Sequence, residues 1–124
     1  MLDFFGGNML YHRNELRNEQ REKPRGGSGT VSYLHMTEEK GKTHKNIELM
    51  AEITLPPGAS IGYHAHTENM EIYTLLSGNG TVNDNGTEKP VSKGDVVITG
   101  NGESHSISNT GNVPLVLNAV VVNN

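Results

Sequence analysis

The sequence contains no cysteine, and its only arginines precede residue 26. Without cysteine the chain forms neither disulfides nor thiolate metal sites, which is compatible with a reducing compartment. The N-terminus lacks the basic start and the apolar stretch of a signal peptide, and no apolar run is long enough to span a bilayer. These absences predict a soluble, cytoplasmic protein with no membrane partner.

Basic charge is scarce and unevenly placed. Residues 1–29 hold five basic and four acidic residues, a net charge of +1, whereas residues 30–124 hold five lysines and ten acids, a net charge of −5. Nucleic-acid binding needs a sustained basic surface, so we expect no nucleic-acid partner. Residues 30–124 also lack the bidentate guanidinium that best captures phosphate or carboxylate. Phosphosugar isomerisation is therefore disfavoured, unless lysines or an arginine from residues 1–29 contribute.

The pattern of apolar residues predicts a single all-β domain over residues 30–124. Fifteen glycines and five prolines separate short Val, Ile and Leu runs, which is typical of about eight to ten short strands in a sandwich or barrel. Asp84-Asn85-Gly86 predicts a tight hairpin turn, because Asn-Gly tolerates positive φ. The clearest strand is residues 46–55, where one face carries the apolar residues Ile47, Leu49, Ala51, Ile53 and Leu55.

Residues 1–29 are predicted to form an N-terminal arm. Its apolar cluster is Met9-Leu10-Tyr11, residues 14–23 are polar and compatible with a helix, and Gly26-Gly27-Ser28-Gly29 predicts a flexible joint. Two alternatives stay open for the arm. It is a partly ordered terminus, or it crosses to the second subunit of a homodimer, where it adds a strand or covers the mouth of the barrel. In the second case its arginines reach a cavity that has none of its own.

Two stretches carry the residues best suited to chemistry. His64 and His66 are one residue apart, so on a strand both imidazoles project to the same face. Glu71 opens the next apolar run, and His105 lies in a later strand-like run. Three neutral imidazoles and one carboxylate suit a divalent transition metal. Tyr73 shares the face of Glu71, so it either lines the same cavity or packs inside the barrel.

Both stretches resemble the two sequence motifs of the cupin superfamily, in particular those of its small single-domain bacterial members. The first motif has glycine, five residues, His-x-His, three or four residues, glutamate, six residues and glycine. It is matched by Gly58, His64, His66, Glu71 and Gly78. The second motif is matched by Gly94, Gly102, His105 and Asn109, with Gly100 in place of the usual proline. The resemblance spans residues 46–122.

The resemblance implies a double-stranded β-helix, which is a jelly-roll barrel, with one divalent metal ion per chain. It implies His64, His66, Glu71 and His105 as the ligands, with zinc, manganese, iron, nickel or cobalt as the ion. Cupin activities are diverse, so the fold does not name a substrate. We expect a metal-dependent enzyme of oxygenase, decarboxylase or isomerase type acting on a small oxygen-bearing molecule. The alternative is a non-catalytic metal-binding, ligand-binding or sensor protein.

Overall fold

The computed structural model describes residues 10–38 and 42–124. Within these ranges ten β-strands are present. In chain order they are β1 (Arg17–Glu22), β2 (Thr30–His35), β3 (Ile47–Leu55), β4 (Ser60–Ala65), β5 (Asn69–Ser77), β6 (Asn79–Asp84), β7 (Thr87–Ser92), β8 (Val96–Thr99), β9 (Ser104–Ser108) and β10 (Leu115–Asn123). The helical content of the described residues is two short 3-10 turns, Arg13–Glu15 and Pro24–Gly26. No helix in this part of the chain is long and apolar enough to cross a membrane.

The strands form two sheets whose neighbouring strands are antiparallel. The six-stranded sheet has the order β1-β2-β3-β10-β5-β8, and the four-stranded sheet has the order β4-β9-β6-β7. From β4 onward the chain passes back and forth between the sheets, as in a jelly roll, except at the β6–β7 hairpin, which lies within the four-stranded sheet. The predicted tight hairpin joins β6 to β7 through Asn85 and Gly86, both with positive φ (49° and 102°). The prediction of an all-β double-stranded β-helix is confirmed.

One apolar core fills the space between the sheets. Alternate residues of each strand point inward, as the period of two in a strand requires. On β3 the inward residues Ala51, Ile53 and Leu55 are almost completely buried. Burial of the larger side chains, Ile53 and Leu55, contributes about 1.5–3 kcal/mol each to the free energy of unfolding. The polar residues His105, Thr99 and Glu71 are also buried in this interior. These side chains therefore lie in the core and not on a surface loop.

The second half of the arm belongs to the six-stranded sheet of its own chain. β1 pairs with β2, with Arg17 opposite His35 and Glu22 opposite Thr30. The polar composition of residues 14–23 is compatible with a helix, but β1 alternates between partly buried and exposed residues, as an edge strand with one covered face does. Residues 1–9, which include Met9 of the predicted apolar cluster, lie outside the described residues. The division of the chain at residue 29 stays a prediction.

Residues 23–29 connect β1 to β2, and we call them the strap. The strap packs against β4: the Ser60 amide donates to the Ser28 carbonyl (2.9 Å) and the Ser28 hydroxyl donates to the Gly58 carbonyl (2.7 Å). Pro24 is buried. The prediction of a flexible joint in this segment is therefore wrong, because its glycines allow close packing against β4.

Candidate metal centre

Four side chains from three strand regions converge inside the barrel. His64 lies on β4, His66 directly follows β4, Glu71 lies on β5 and His105 lies on β9. His64 and His105 face each other across the β4–β9 pair. The ligand atoms of all four side chains lie within 4.8 Å of one another. This spacing could hold a metal ion.

The distances within the cluster are short. Oε1 of Glu71 lies 2.9 Å from Nε2 of His105, 3.2 Å from Nε2 of His66 and 3.9 Å from Nε2 of His64. Nε2 of His105 lies 3.1 Å from Nε2 of His66 and 3.2 Å from Nε2 of His64. His105 is completely buried, and His66 and Glu71 are only 4% and 6% exposed. All three imidazoles thus present the same nitrogen to one buried carboxylate oxygen.

The other nitrogen of each ring is held by a neighbouring group. Nδ1 of His64 lies 2.6 Å from the Gly62 carbonyl, and Nδ1 of His66 lies 2.6 Å from Oδ1 of Asn69. Both oxygens only accept hydrogen bonds, so each Nδ1 carries a hydrogen, and in the neutral imidazole each Nε2 is left with a lone pair toward the cluster. Second partners of this kind orient histidines that bind metals.

The contacts around His66 and His105 extend one layer further. Nδ2 of Asn69 donates to Glu48 (3.1 Å), which fixes the amide with its oxygen toward His66. Nδ1 of His105 lies 2.9 Å from the hydroxyl of Thr99, a residue that is 1% exposed. Asn69 and Thr99 were not identified from the sequence. The position of Asn69, three residues after His66, could have indicated its contact with that imidazole. No sequence pattern indicates the contact of Thr99 with His105, because it joins two different sheets.

Several lone pairs and a carboxylate facing one another repel unless a positive charge lies between them. Without an ion, a proton on Nε2 of an imidazole supplies that positive charge. Burial acts to raise the pKa of Glu71, but the hydrogen bonds that protonated His105, His64 and His66 donate outweigh burial and hold the pKa well below its ordinary value. The hydrogen bond with Glu71 raises the pKa of His66, whereas burial lowers the pKa of His105. Nitrogen and carboxylate donors of this kind suit a divalent transition ion. The residues present therefore fit the metal that the motifs imply.

Tyr73 lies against the cluster. Its ring stacks on His105, with centroids 4.8 Å apart and planes 10° apart, and it is 1% exposed. Burial raises its pKa well above the ordinary value, and its interaction with Glu71 adds to the rise. The phenol is therefore protonated at all physiological pH values.

A cavity of about 120 Å³ opens beside the cluster. His64, Glu71 and Tyr73 form part of its wall, and Ile53 and Ile61 contribute apolar surface. Typical ligand pockets are about 300–1,000 Å³. The cavity therefore suits a molecule of only a few heavy atoms.

Arg21 and Arg25 complete the wall of this cavity. The sequence predicted that an arginine of the arm could reach the cavity of a neighbouring subunit. In the structure both arginines line the cavity of their own chain, because β1 carries Arg21 and the strap carries Arg25 to its wall. Neither was assigned to the site from the sequence, since their placement depends on the unforeseen pairing of β1 with β2.

A larger cavity, of about 480 Å³, lies on the outer face of the six-stranded sheet. Its charged wall residues, Arg13 and Glu52, are hydrogen bonded to each other at 2.6 Å and 3.1 Å. The histidine and glutamate cluster is absent from its wall. Its size alone does not make it a site, and the smaller cavity is the one that adjoins the candidate ligands.

The remaining motif residues shape the backbone. Gly58, Gly78, Gly94 and Gly102 all have φ between 82° and 92°, which explains why glycine is needed at these spacings. The side chain of Asn109 donates to the carbonyls of Leu55 and Val113, each at 2.8 Å, and is buried. Asn109 is thus structural.

The fold is a jelly-roll barrel that encloses a cluster able to hold a metal ion. Comparison with known proteins gives the family. The family model described as "Cupin domain" matches residues 51–122, more than half of the chain. The protein belongs to the cupin family. Its recognition from the two motifs is confirmed.

The relatives differ in how much they share with this chain. The oxalate-binding protein of Thermotoga maritima is 42% identical over 117 residues, which cover 94% of this chain and 96% of that protein. A crystal structure described as a predicted oxalate decarboxylase from Thermotoga maritima is similar at 41% identity with a TM-score of 0.87, and covers 94% of this chain and 100% of that one. A cupin-superfamily sugar phosphate isomerase from Silicibacter pomeroyi has a TM-score of 0.71 at 17% identity over 93% of this chain and 76% of that one. This last likeness shows the fold alone.

Proposed function

We propose that the protein binds one divalent transition metal ion through His64, His66, Glu71 and His105 and, beside that ion, a small organic anion of the oxalate class. The observation that carries the proposal is the convergence of three imidazole nitrogens and one carboxylate oxygen at the wall of a small cavity. The name of the Thermotoga maritima oxalate-binding protein supports the choice of anion.

Charge and size both favour such a ligand. One carboxylate ligand leaves a divalent ion with a net charge near +1, which attracts anions, and the ion supplies Lewis-acid polarisation to an anion that contacts it. Arg21 and Arg25 add positive charge to the same cavity. The apolar side chains of Ile53 and Ile61 limit the space for longer molecules.

Decarboxylation is the second candidate function, and Tyr73 is the observation that favours it. Conversion of oxalate to formate and carbon dioxide breaks the C–C bond and forms a C–H bond, so it consumes one proton. Tyr73 lines the cavity, and its raised pKa keeps its proton in place until an acceptor arrives. The crystal structure described as a predicted oxalate decarboxylase is in keeping with this candidate.

Titration calorimetry of oxalate into metal-loaded and chelator-treated protein tests the proposal. We expect oxalate binding only with metal present, about one ion per chain by elemental analysis, and loss of both in the His64→Ala/His66→Ala variant. Assays of formate and carbon dioxide on the same samples distinguish binding from turnover. Equal oxalate affinity with and without metal would contradict the proposed function.

Two further predictions accompany the proposal. We infer that the protein is a homodimer, because an exposed sheet edge is usually covered. We also infer that it is cytoplasmic, because a chain without cysteine is compatible with a reducing compartment. Light scattering of the purified protein checks the oligomeric state. Deletion of residues 1–26 removes β1, so a dimer that survives this deletion does not depend on the arm.

A further inference from the structure

Arg25 is a cation at the cavity, and no carboxylate of the described residues lies within ion-pair distance of it. Its guanidinium makes no hydrogen bond or ion pair with any described residue, although it lines the same cavity as His64 and Glu71. The side chain is exposed, so solvent reaches it from the cavity mouth. A planar guanidinium in this state has its five N–H donors available for a carboxylate.

Arg21, the second arginine of the cavity, is already engaged. Its Nη2 donates to Oε1 of Glu19 at 3.1 Å, and its guanidinium carbon lies 4.1 Å from the centre of the Tyr33 ring. The neighbouring Glu19 oxygen and the aromatic face satisfy much of its charge and hold it in place. Of the two arginines, Arg25 is the one that remains able to bind a ligand.

The strap fixes Arg25 beside the candidate ligands. A Cβ on Gly62 would overlap the carbonyl of Arg25, and a Cβ on Gly27 would overlap the carbonyl of Ser60, so the two backbones are in direct contact. Gly62 lies two residues before His64, and its carbonyl accepts the hydrogen bond from that imidazole. Gly62 therefore contacts both the strap and His64, one of the candidate metal ligands.

The backbone of Arg25 itself is held in an unusual conformation. Its φ of 56° and ψ of 30° lie in the left-handed region, where a side chain is disfavoured. Residues in such conformations cluster at ligand sites, because the surrounding structure must hold them there. Here the contact between the strap and β4 provides that restraint, and the result is an arginine at the cavity mouth.

We propose that Arg25 is the specificity-determining residue of the site: it binds the carboxylate of a short dicarboxylate that points away from the candidate metal ligands. This inference rests on the proposed function and narrows its substrate class. A dianion such as oxalate can interact with the metal-binding side of the cavity and with Arg25 at once. A hydroxy acid such as glycolate has a single carboxylate and cannot satisfy both sides with charge.

The test compares Arg25→Gln, Arg25→Gly and Arg25→Lys with the parent, all metal-loaded. Glycine suits the left-handed backbone, so Arg25→Gly removes the side chain without disturbing the strap. Arg13→Gln is the matched control, since it removes the same charge from the outer face, where Arg13 pairs with Glu52. Calorimetry gives the affinities for oxalate and glycolate, elemental analysis gives metal content, and a thermal melt checks folding.

We expect Arg25→Gln and Arg25→Gly to weaken oxalate binding by about tenfold or more, with metal content retained, because a charge-assisted hydrogen bond pair is lost. Glycolate affinity should change by less than about threefold, Arg25→Lys should fall between parent and Arg25→Gln, and Arg13→Gln should match the parent. Unchanged oxalate affinity in Arg25→Gln, or equal losses for oxalate and glycolate, overturns this inference and leaves the proposed function standing. Loss of metal from Arg25→Gly also overturns it. Absence of metal-dependent oxalate binding in the parent overturns both.

Discussion

The hydroxyl of Thr99 lies 2.9 Å from Nδ1 of His105, although the two residues belong to different sheets. Thr99 ends β8 in the six-stranded sheet, and its partner in register is Glu71 of β5. One residue of the barrel wall therefore contacts a candidate ligand across the core and pairs with another along the sheet. Asn69 has a comparable position at His66, with an oxygen 2.6 Å from Nδ1.

These contacts predict that Thr99→Val and Asn69→Leu weaken metal binding without touching a candidate ligand. Removal of a group that orients a metal-binding histidine typically costs about 10–100-fold in affinity. Competition with a chromophoric chelator measures the affinity of each variant.

Thr81→Val is the matched control for Thr99→Val. Thr81 lies on β6, and its hydroxyl contacts that of Thr110 (3.0 Å) rather than any of the four candidate ligands. The metal affinity of Thr81→Val should therefore equal that of the parent. Thr99→Val with parental affinity would show that His105 keeps its orientation through stacking on Tyr73 alone.

Removal of metal should lower the thermal stability of the parent. A ligand at about a hundred times its dissociation constant adds about 2.7 kcal/mol to the free energy of unfolding. Affinity should also decrease as the pH falls below about 6.5, because imidazole must be neutral to bind. Melting curves with and without chelator at several pH values check both statements. A His64→Ala/His66→Ala variant that still responds to chelator would show that the ion binds elsewhere.

Tyr73 combines a packing role with a polar one, and two substitutions separate them. Tyr73→Phe keeps the ring stacked on His105 and removes the hydroxyl, so we expect a loss of about 1 kcal/mol in the free energy of unfolding. Tyr73→Ala opens a void in the core and should cost about 3–5 kcal/mol. Urea denaturation gives both values. Equal losses in the two variants would mean that the hydroxyl, rather than the ring, determines stability at this position.

The contact between Gly27 and β4 predicts that Gly27→Ala separates the strap from the barrel. The added Cβ would overlap the carbonyl of Ser60, so the strap must move and oxalate affinity should fall together with thermal stability. Gly111→Ala is the control, because its Cβ would meet Oδ1 of Asn109 and the backbone oxygen of Asn79 at 3.5 and 3.4 Å, within ordinary contact. Melting and calorimetry on both variants give the comparison, and similar behaviour of the two would contradict a packed strap.

His35 predicts a pH dependence of stability that is independent of the candidate metal site. Burial lowers its pKa, Arg17 and Arg21 act in the same direction, and the hydrogen bond with Glu19 opposes them. The unfolded chain, with a histidine pKa near 6.5, therefore binds the proton more readily than the folded protein. Stability should fall as the pH is lowered below about 6.5. In His35→Gln, denaturation in chelator should show a weaker dependence over this range; an unchanged slope would remove His35 from the explanation.

The sequence predicted the parts of the fold that local patterns encode. Strict alternation predicted which face of β3 is buried, and the Asn85-Gly86 pair predicted the β6–β7 hairpin, because positive φ is restricted to few residue types. The cluster of His64, His66, Glu71 and His105 followed from motif spacing, and the structure brings all four side chains together. Their role as metal ligands stays a prediction.

The placement of β1 and the strap could not be predicted in the same way. β1 is polar along its whole length, so no apolar alternation marks it as a strand, and its pairing with β2 depends on contacts across the turn. Arg25 reaches the cavity only because Gly27 and Gly62 allow two backbones to touch. Contacts of this kind depend on the absence of side chains, which gives no periodic signal in a sequence.

Glu71 belongs to the six-stranded sheet, whereas His64 and His105 belong to the four-stranded sheet. An ion bound by all of them joins the two halves of the sandwich, as a disulfide would in a chain that had cysteines. Separation of the halves would then require loss of ligands from the ion, so we expect metal-loaded protein to unfold more slowly than metal-free protein.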